Sequence, residues 1–122
     1  MATRYTIHER EVEAKQLPGR SHKMIIQPGV FGVKSMCFGV ADFPPLAHAP
    51  AHVHAKEEEI LYVLSGAGEM YFNGTPEPLE PGTCMYVPSG VEHSINNTGT
   101  AVLKVAYVFS PPVQQGSYER RK

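Results

Sequence analysis

The sequence predicts an all-β fold, one barrel or sandwich built from short antiparallel strands. Three observations carry this. Eleven glycines and eleven prolines are spread along 122 residues, breaking the chain into short apolar runs. Those runs are rich in β-branched and aromatic residues and show no sustained helical period. Turn residues such as Asn73-Gly74, Pro81-Gly82 and Ser89-Gly90 stand between them, and many short strands joined by tight turns make sandwiches and barrels.

The expected strands, in chain order, begin with KMIIQ (23–27) and VKSMCFGVADF (33–43), the second closed by Pro44-Pro45. HVH at 52–54, with its flanks, is the next. In EILYVLSG (59–66), Glu59, Leu61 and Val63 share one face because side chains alternate along a strand. GEMYFNG (68–74) ends in Asn-Gly, a strong hairpin signal. Placing its Glu69 outward turns Met70 and Phe72 inward. TCMYVP (83–88) and EHSINN (92–97) follow, and the facing of TCMYV stays open, as does that of the strand around Met36 and Phe38. In AVLKVAYVF (101–109), placing Lys104 outward turns Leu103, Val105, Tyr107 and Phe109 inward. Pro111 and Pro112 then stop the strand, since proline cannot donate to a ladder.

Length argues for one domain over residues 1–122. Its core is expected at about 23–110, with an N-terminal arm over roughly 1–15 and a C-terminal tail from 111. The formal net charge is -1, and the only basic cluster is the terminal RRK. Neither nucleic acid nor an anionic membrane surface finds an electrostatic footprint there. No apolar run approaches the roughly 20 residues of a membrane span, and the N-terminus has no apolar signal region. The expected location is the cytoplasm. Cys37 and Cys84 sit in apolar stretches without metal-type spacing and are expected to be reduced core residues.

The stretch HVHAKEEEILYVLSG (52–66) concentrates the chemistry. His52 and His54 are two apart, so both imidazoles project to one side of an extended segment. Glu59 shares its face with Leu61 and Val63 and therefore points into the core, where an unpaired carboxylate is very costly. A metal ion beside two histidines is the natural compensation. His93 follows the Pro88-Ser89-Gly90 turn and shares its face with Ile95, giving a fourth inward ligand. Three imidazoles and one carboxylate suit a divalent transition metal: Fe, Mn, Ni, Co, Cu or Zn. Glu57 and Glu58 fall in the connecting loop and read as solvated acids.

These residues resemble the two motifs of the cupin superfamily. The first is His-x-His, three or four residues, Glu, six residues, Gly; here it runs His52, His54, Glu59, Gly66. The second is Gly, five residues, Pro-x-Gly, two residues, His, three residues, Asn; here it runs Gly82, Pro88, Gly90, His93, Asn97. One departure stands before the first motif, where Leu46 follows Pro44-Pro45 at a position the family often gives to glycine. The resemblance implies a single jelly-roll barrel of a small monocupin. It also implies a metal near the barrel mouth and, commonly, a homodimer.

A three-histidine, one-glutamate site leaves coordination positions open, which distinguishes a catalytic ion from a structural one. The expected function is a metal-dependent enzyme acting on a small oxygenated organic molecule. A dioxygenase is favoured because Tyr107 and His48 are the only proton-transfer candidates the alternation supplies, with the loop acids Glu57 and Asp42 in reserve. The alternatives are a Lewis-acid isomerase, lyase or decarboxylase acting on a sugar or keto acid, and a non-catalytic small-molecule-binding protein. His48, in the loop LAHAPAH, is placed at the mouth as a proton-transfer group. Arg20 suits a substrate carboxylate in principle, but a surface or interface position is preferred for it. His8 and His22 are expected at the surface, and Tyr62 outside the cavity.

Overall fold

The computed structural model describes residues 4–113. A one-turn 3-10 helix, Glu9–Glu11, precedes nine strands: β1 Lys15–Leu17, β2 Arg20–Ile26, β3 Cys37–Phe43, β4 Glu58–Ser65, β5 Gly68–Phe72, β6 Thr75–Leu79, β7 Cys84–Val87, β8 His93–Asn96 and β9 Leu103–Ser110. They form a six-stranded sheet, in the order β1-β2-β3-β9-β4-β7, and a three-stranded sheet, β6-β5-β8. Every pairing is antiparallel. The result is the expected all-β jelly roll, its apolar core lying between the two sheets. The tail beyond residue 113 lies outside the described residues.

Alternation places the core. β9 alternates buried and half-buried residues, with Leu103, Val105, Tyr107 and Phe109 inward as the pattern in AVLKVAYVF requires. β4 buries Glu59, Leu61 and Val63 and leaves Ile60, Tyr62 and Leu64 exposed on the outside. Met70 of β5 is fully buried, while Phe72 packs half-buried against the core. The structure also resolves the two strands whose facing the pattern left open. β7 turns Met85 and Val87 inward, and β3 turns Cys37, Ala41 and Phe43 inward. Cys84 is therefore exposed, not a core residue, because it alternates with Met85. Asn73 and Gly74 both take positive φ, 50° and 84°, as a two-residue hairpin requires.

Two strands escape the sequence pattern. β6 carries Pro76 and Pro78, residues that argue against a central strand, and it lies at a sheet edge where they are tolerated. β1 is short and sits at one edge of the larger sheet. The core thus begins before residue 23, since Leu17, Arg20 and His22 are already buried. The arm ahead of β1 is clipped to the outside of the barrel, where Lys104 Nζ lies 2.8 Å from Glu9 Oε2 and Lys23 Nζ donates to the Glu9 carbonyl at 3.0 Å. The Lys104 hydrogen bond lowers the Glu9 carboxyl below its usual range.

HVH does not form a strand of its own. The segment from Ala47 to His52 pairs along β8 through backbone bonds, Ala49 N donating to the Ile95 carbonyl and His52 exchanging bonds with His93. His48 stands opposite Asn96 and His52 opposite His93, so four residues of one strand span three of the other. The extra residue is a bulge at Pro50–Ala51, where proline lacks the N–H a regular ladder uses.

Candidate metal centre

The bulge decides which histidines face inward. A one-residue slip exchanges the two faces of a strand, so His48 and His52, of equal parity in the sequence, end on opposite sides. His52 lines the interior cavity, whereas His48 is exposed and absent from the cavity wall. A proton-transfer position for His48 at the mouth finds no support in this placement. Glu57 and Asp42 are also absent from that wall.

Four side chains gather at one side of the cavity. His52 and His54 come from the segment before β4, Glu59 from β4 and His93 from the first position of β8. The ligand atoms of the three histidines all lie within 4.8 Å of one another. Two nitrogens about 2.1 Å from a shared ion stand at most ~4.2 Å apart, so small ring adjustments bring this set onto one centre. Glu59 Oε1 lies 3.3 Å from His93 Nε2 and 3.9 Å from His54 Nε2. Glu59 is 5% exposed and His93 3%.

The imidazoles are oriented from behind. His93 Nδ1–H donates to the Val91 carbonyl at 2.9 Å, and His52 Nδ1–H to the Pro50 carbonyl at 3.3 Å. A carbonyl only accepts, so each Nδ1 must carry a proton, leaving the Nε2 lone pair available on the neutral ring. This is the arrangement of histidines that serve as metal ligands. His54 packs the edge of its ring on Phe109, with centroids 4.8 Å apart.

Electrostatics favours neutral imidazoles. Burial, reinforced by His93 and His54, pushes His52 down to about 3, and burial with His93 pushes His54 down to about 4. Burial raises the Glu59 carboxyl above its usual range, against the pull of His93 and Arg20. His54 Nε2, His93 Nε2 and Glu59 Oε1 are buried and make no directed hydrogen bond among the described residues. Buried polar atoms in native proteins are ordinarily paired, and these three, with Glu59 Oε1 3.3 Å and 3.9 Å from the two imidazole nitrogens, fit a shared cation. The residues present thus suit a divalent ion held by three nitrogens and a carboxylate oxygen.

The cavity extends away from this cluster through about 580 Å3 of atom-free space, its mouth included. Met24, Phe43, Leu61, Met70, Val105 and Phe109 make much of its wall, and Leu17 reaches it from β1. Arg20, His22 and Tyr107 also line it. His22 is buried, not at the surface, and its Nδ1 shares a 2.9 Å hydrogen bond with Tyr107 Oη. Arg20 is buried too, one guanidinium nitrogen donating to the Pro18 carbonyl at 2.9 Å. Desolvation lowers its pKa, while Tyr107 and Glu59 act to raise it. Gly39 pairs with Tyr107 across the ladder, and a Cβ there would stand 2.5 Å from the Lys23 carbonyl oxygen and 3.0 Å from Tyr107 Oη. The missing side chain leaves the space in which the tyrosine hydroxyl lies. Starting the first strand at Lys23 hid Arg20 and His22, yet both share the parity of Met24, a signal present in RSHKM.

The Cupin domain family model matches residues 39–109. Among curated proteins, SchB of Streptomyces halstedii is 29% identical over 101 residues, 83% of this chain and 73% of SchB. An oxalate-binding protein of Thermotoga maritima is 37% identical over 76 residues, 62% of this chain and 63% of that protein, so the alignment spans less than two thirds of it. Among solved structures, a predicted oxalate decarboxylase from Thermotoga maritima superposes with a TM-score of 0.79 at 24% identity, covering 88% of this chain and 99% of that one. That structural likeness speaks to the fold alone. No helix among the described residues is long and apolar enough to cross a membrane.

Proposed function

The chain belongs to the cupin family, and on that premise we propose that it is a metal-dependent enzyme moving a proton on a small oxygenated organic molecule. The observation that carries this reading is the cluster of buried, unbonded ligand atoms His54 Nε2, His93 Nε2 and Glu59 Oε1, in a barrel whose cavity also holds the His22–Tyr107 pair. His52, His54, Glu59 and His93 would hold the ion, which would supply Lewis-acid polarisation of a carbonyl. Tyr107 Oη, fixed by His22, holds or moves the proton at a substrate oxygen or α-carbon within the cavity. The apolar walls exclude water and strengthen both interactions.

The case for oxygen chemistry rested on a scarcity of inward proton-transfer groups, and His22 beside Tyr107 removes that scarcity. A dioxygenase remains the second reading, favoured by the apolar lining in which O2 would partition. A metal-reconstituted sample incubated with small ketones and keto acids in D2O separates the two. The proton-transfer reading predicts deuterium at the α-carbon by NMR, lost in Tyr107→Phe, with no oxygen uptake. Oxygen consumption matching substrate loss selects the dioxygenase, and neither signal leaves only a binding protein.

We further propose that two copies meet through the outer face of β4 and β7. Ile60 pairs with Tyr86 there, and both are exposed beside exposed Tyr62 and Leu64. Sedimentation is expected to show a dimer for the native protein and a monomer for Ile60→Lys/Tyr86→Lys; a native monomer would contradict it.

A further inference from the structure

The segment that carries His52 is held between two parts of the barrel, β8 and the turn joining β1 to β2. Its ladder bonds to β8 run from Ala49 N to the Ile95 carbonyl at 3.2 Å and from His52 N to the His93 carbonyl at 3.0 Å, with the Pro50–Ala51 bulge between them. A bulge disrupts the ladder locally, so the pairing with β8 alone holds this stretch less firmly than a regular strand. Leu17 pairs with Arg20 across the β1–β2 hairpin, which leaves Pro18 and Gly19 as a two-residue turn. Proline followed by a glycine at φ 76° is the type II pattern. Gly19 lies so close to the His48–Ala49 peptide that a Cβ there would stand 2.8 Å from both Ala49 Cα and the His48 carbonyl oxygen, and 2.9 Å from Ala49 N. Those neighbours are backbone atoms, which cannot swing aside as the tip of a side chain can. The turn itself is pinned, because Leu17 and Arg20 are buried and the Arg20 guanidinium donates to the Pro18 carbonyl at 2.9 Å.

We infer that the Pro18–Gly19 turn is a positioning element for His52, bracing the His48–Ala49 peptide so that the imidazole beyond the bulge keeps its direction into the cavity. Between a pinned turn and a paired β8, the bulged segment is the part that yields when the contact changes. A methyl group on Gly19 therefore displaces Ala49, and with it His52, before it displaces Leu17 or Arg20. Glycine is required here twice, for its positive φ and for the close approach of two backbones. Gly32 separates the two requirements, with φ 74° and nothing within 4 Å of a Cβ. Gly32→Ala thus carries the backbone strain without the contact. This inference rests on the proposed function for the ion, while the contact and its hold on His52 belong to the protein without metal.

Titration of chelator-treated protein with Co2+ reads the effect. Gly19→Ala is expected to bind Co2+ about tenfold or more weakly than the parent and to change the d–d absorption of the bound ion, as loss of a ligand's orientation does. Gly32→Ala is expected to stay within about threefold, since distant sites act independently. In a His52→Ala background, adding Gly19→Ala is expected to weaken binding by less than about threefold, because the ligand through which the turn acts is gone. Parent affinity in Gly19→Ala, an equal loss in Gly32→Ala, or an undiminished loss in the His52→Ala background overturns the inference. Pro18→Gly loosens the turn without adding an atom to the contact, and it carries the test if Gly19→Ala fails to fold. Its expected loss of Co2+ affinity is about threefold or more, and an unchanged affinity overturns the inference. Amide NMR of the metal-free proteins separates the turn from the metal reading. Gly19→Ala, or Pro18→Gly in its place, is expected to shift the His52 and His93 resonances, and Gly32→Ala to leave them where they are. Unmoved His52 and His93 resonances overturn the positioning role. A parent that binds no Co2+ contradicts the metal reading instead, and the resonance shifts then decide the turn by themselves.

Discussion

Asn97 shows how a residue next to the chemistry serves the fold. It is 0% exposed, donates through Nδ2 to the carbonyls of Phe43 and Ala101 at 2.8 Å each, and accepts from the Gly99 N–H at 2.8 Å. These bonds tie the end of β8 to the end of β3 and to the turn entering β9, which keeps His93 in register four residues earlier. Asn97→Ala strands two carbonyls and an N–H and is expected to cost about 2–4 kcal/mol in denaturant unfolding. Asn97→Asp is expected to be worse at neutral pH, because a carboxylate facing two carbonyls can donate to neither. A loss below about 0.5 kcal/mol for either variant would contradict this role.

At the scale of elements, the segment Ala47–His52 is the part of the site that depends on a defect. The bulge at Pro50–Ala51 turns His52 inward and leaves His48 outside. Deleting Ala51 places His52 three positions after outward His48, so a regular register keeps His52 opposite His93 and facing inward. The deletion is expected to keep the β-sheet circular dichroism of the parent and its affinity for Co2+ to within about tenfold. A loss of about a hundredfold or more with the circular dichroism intact would mean that pairing with His93 does not set the ligand's direction. Much of the barrel was legible in the sequence because alternation suffices where strands are regular, as in β4 and β9. His52, His54, Glu59 and His93 were legible from their spacing. The bulge was not, since two pairings in space define it, and neither was the facing of His48. β6 was hidden by its prolines, and Arg20 and His22 by a strand start drawn three residues too late.

For the molecule as a whole, the site makes folding sensitive to acid. In the metal-free protein His54 stays neutral to about pH 4 and His52 to about pH 3, whereas the unfolded chain protonates them below about 6.5. The unfolded state therefore binds more protons across this window, and stability falls as pH drops from 6.5 toward 4. Glu59 works the other way: its raised pKa contributes stability that is present in acid and lost as pH rises, offsetting part of the histidine effect. Thermal midpoints of metal-free protein are expected to fall between pH 6.5 and 4, and a flat profile would contradict buried neutral imidazoles. Ion binding adds stability by mass action, about 2.7 kcal/mol at a hundredfold excess over Kd, so chelation is expected to lower the midpoint at neutral pH. The proposed chemistry depends on four side chains sharing one ion, and an anomalous-scattering map of crystals grown with Co2+ or Zn2+ tests that directly. The account predicts a single strong peak about 2.0–2.2 Å from the Nε2 atoms of His52, His54 and His93 and from a Glu59 oxygen. No peak at that position under saturating metal, or a peak bound by other residues, would contradict it.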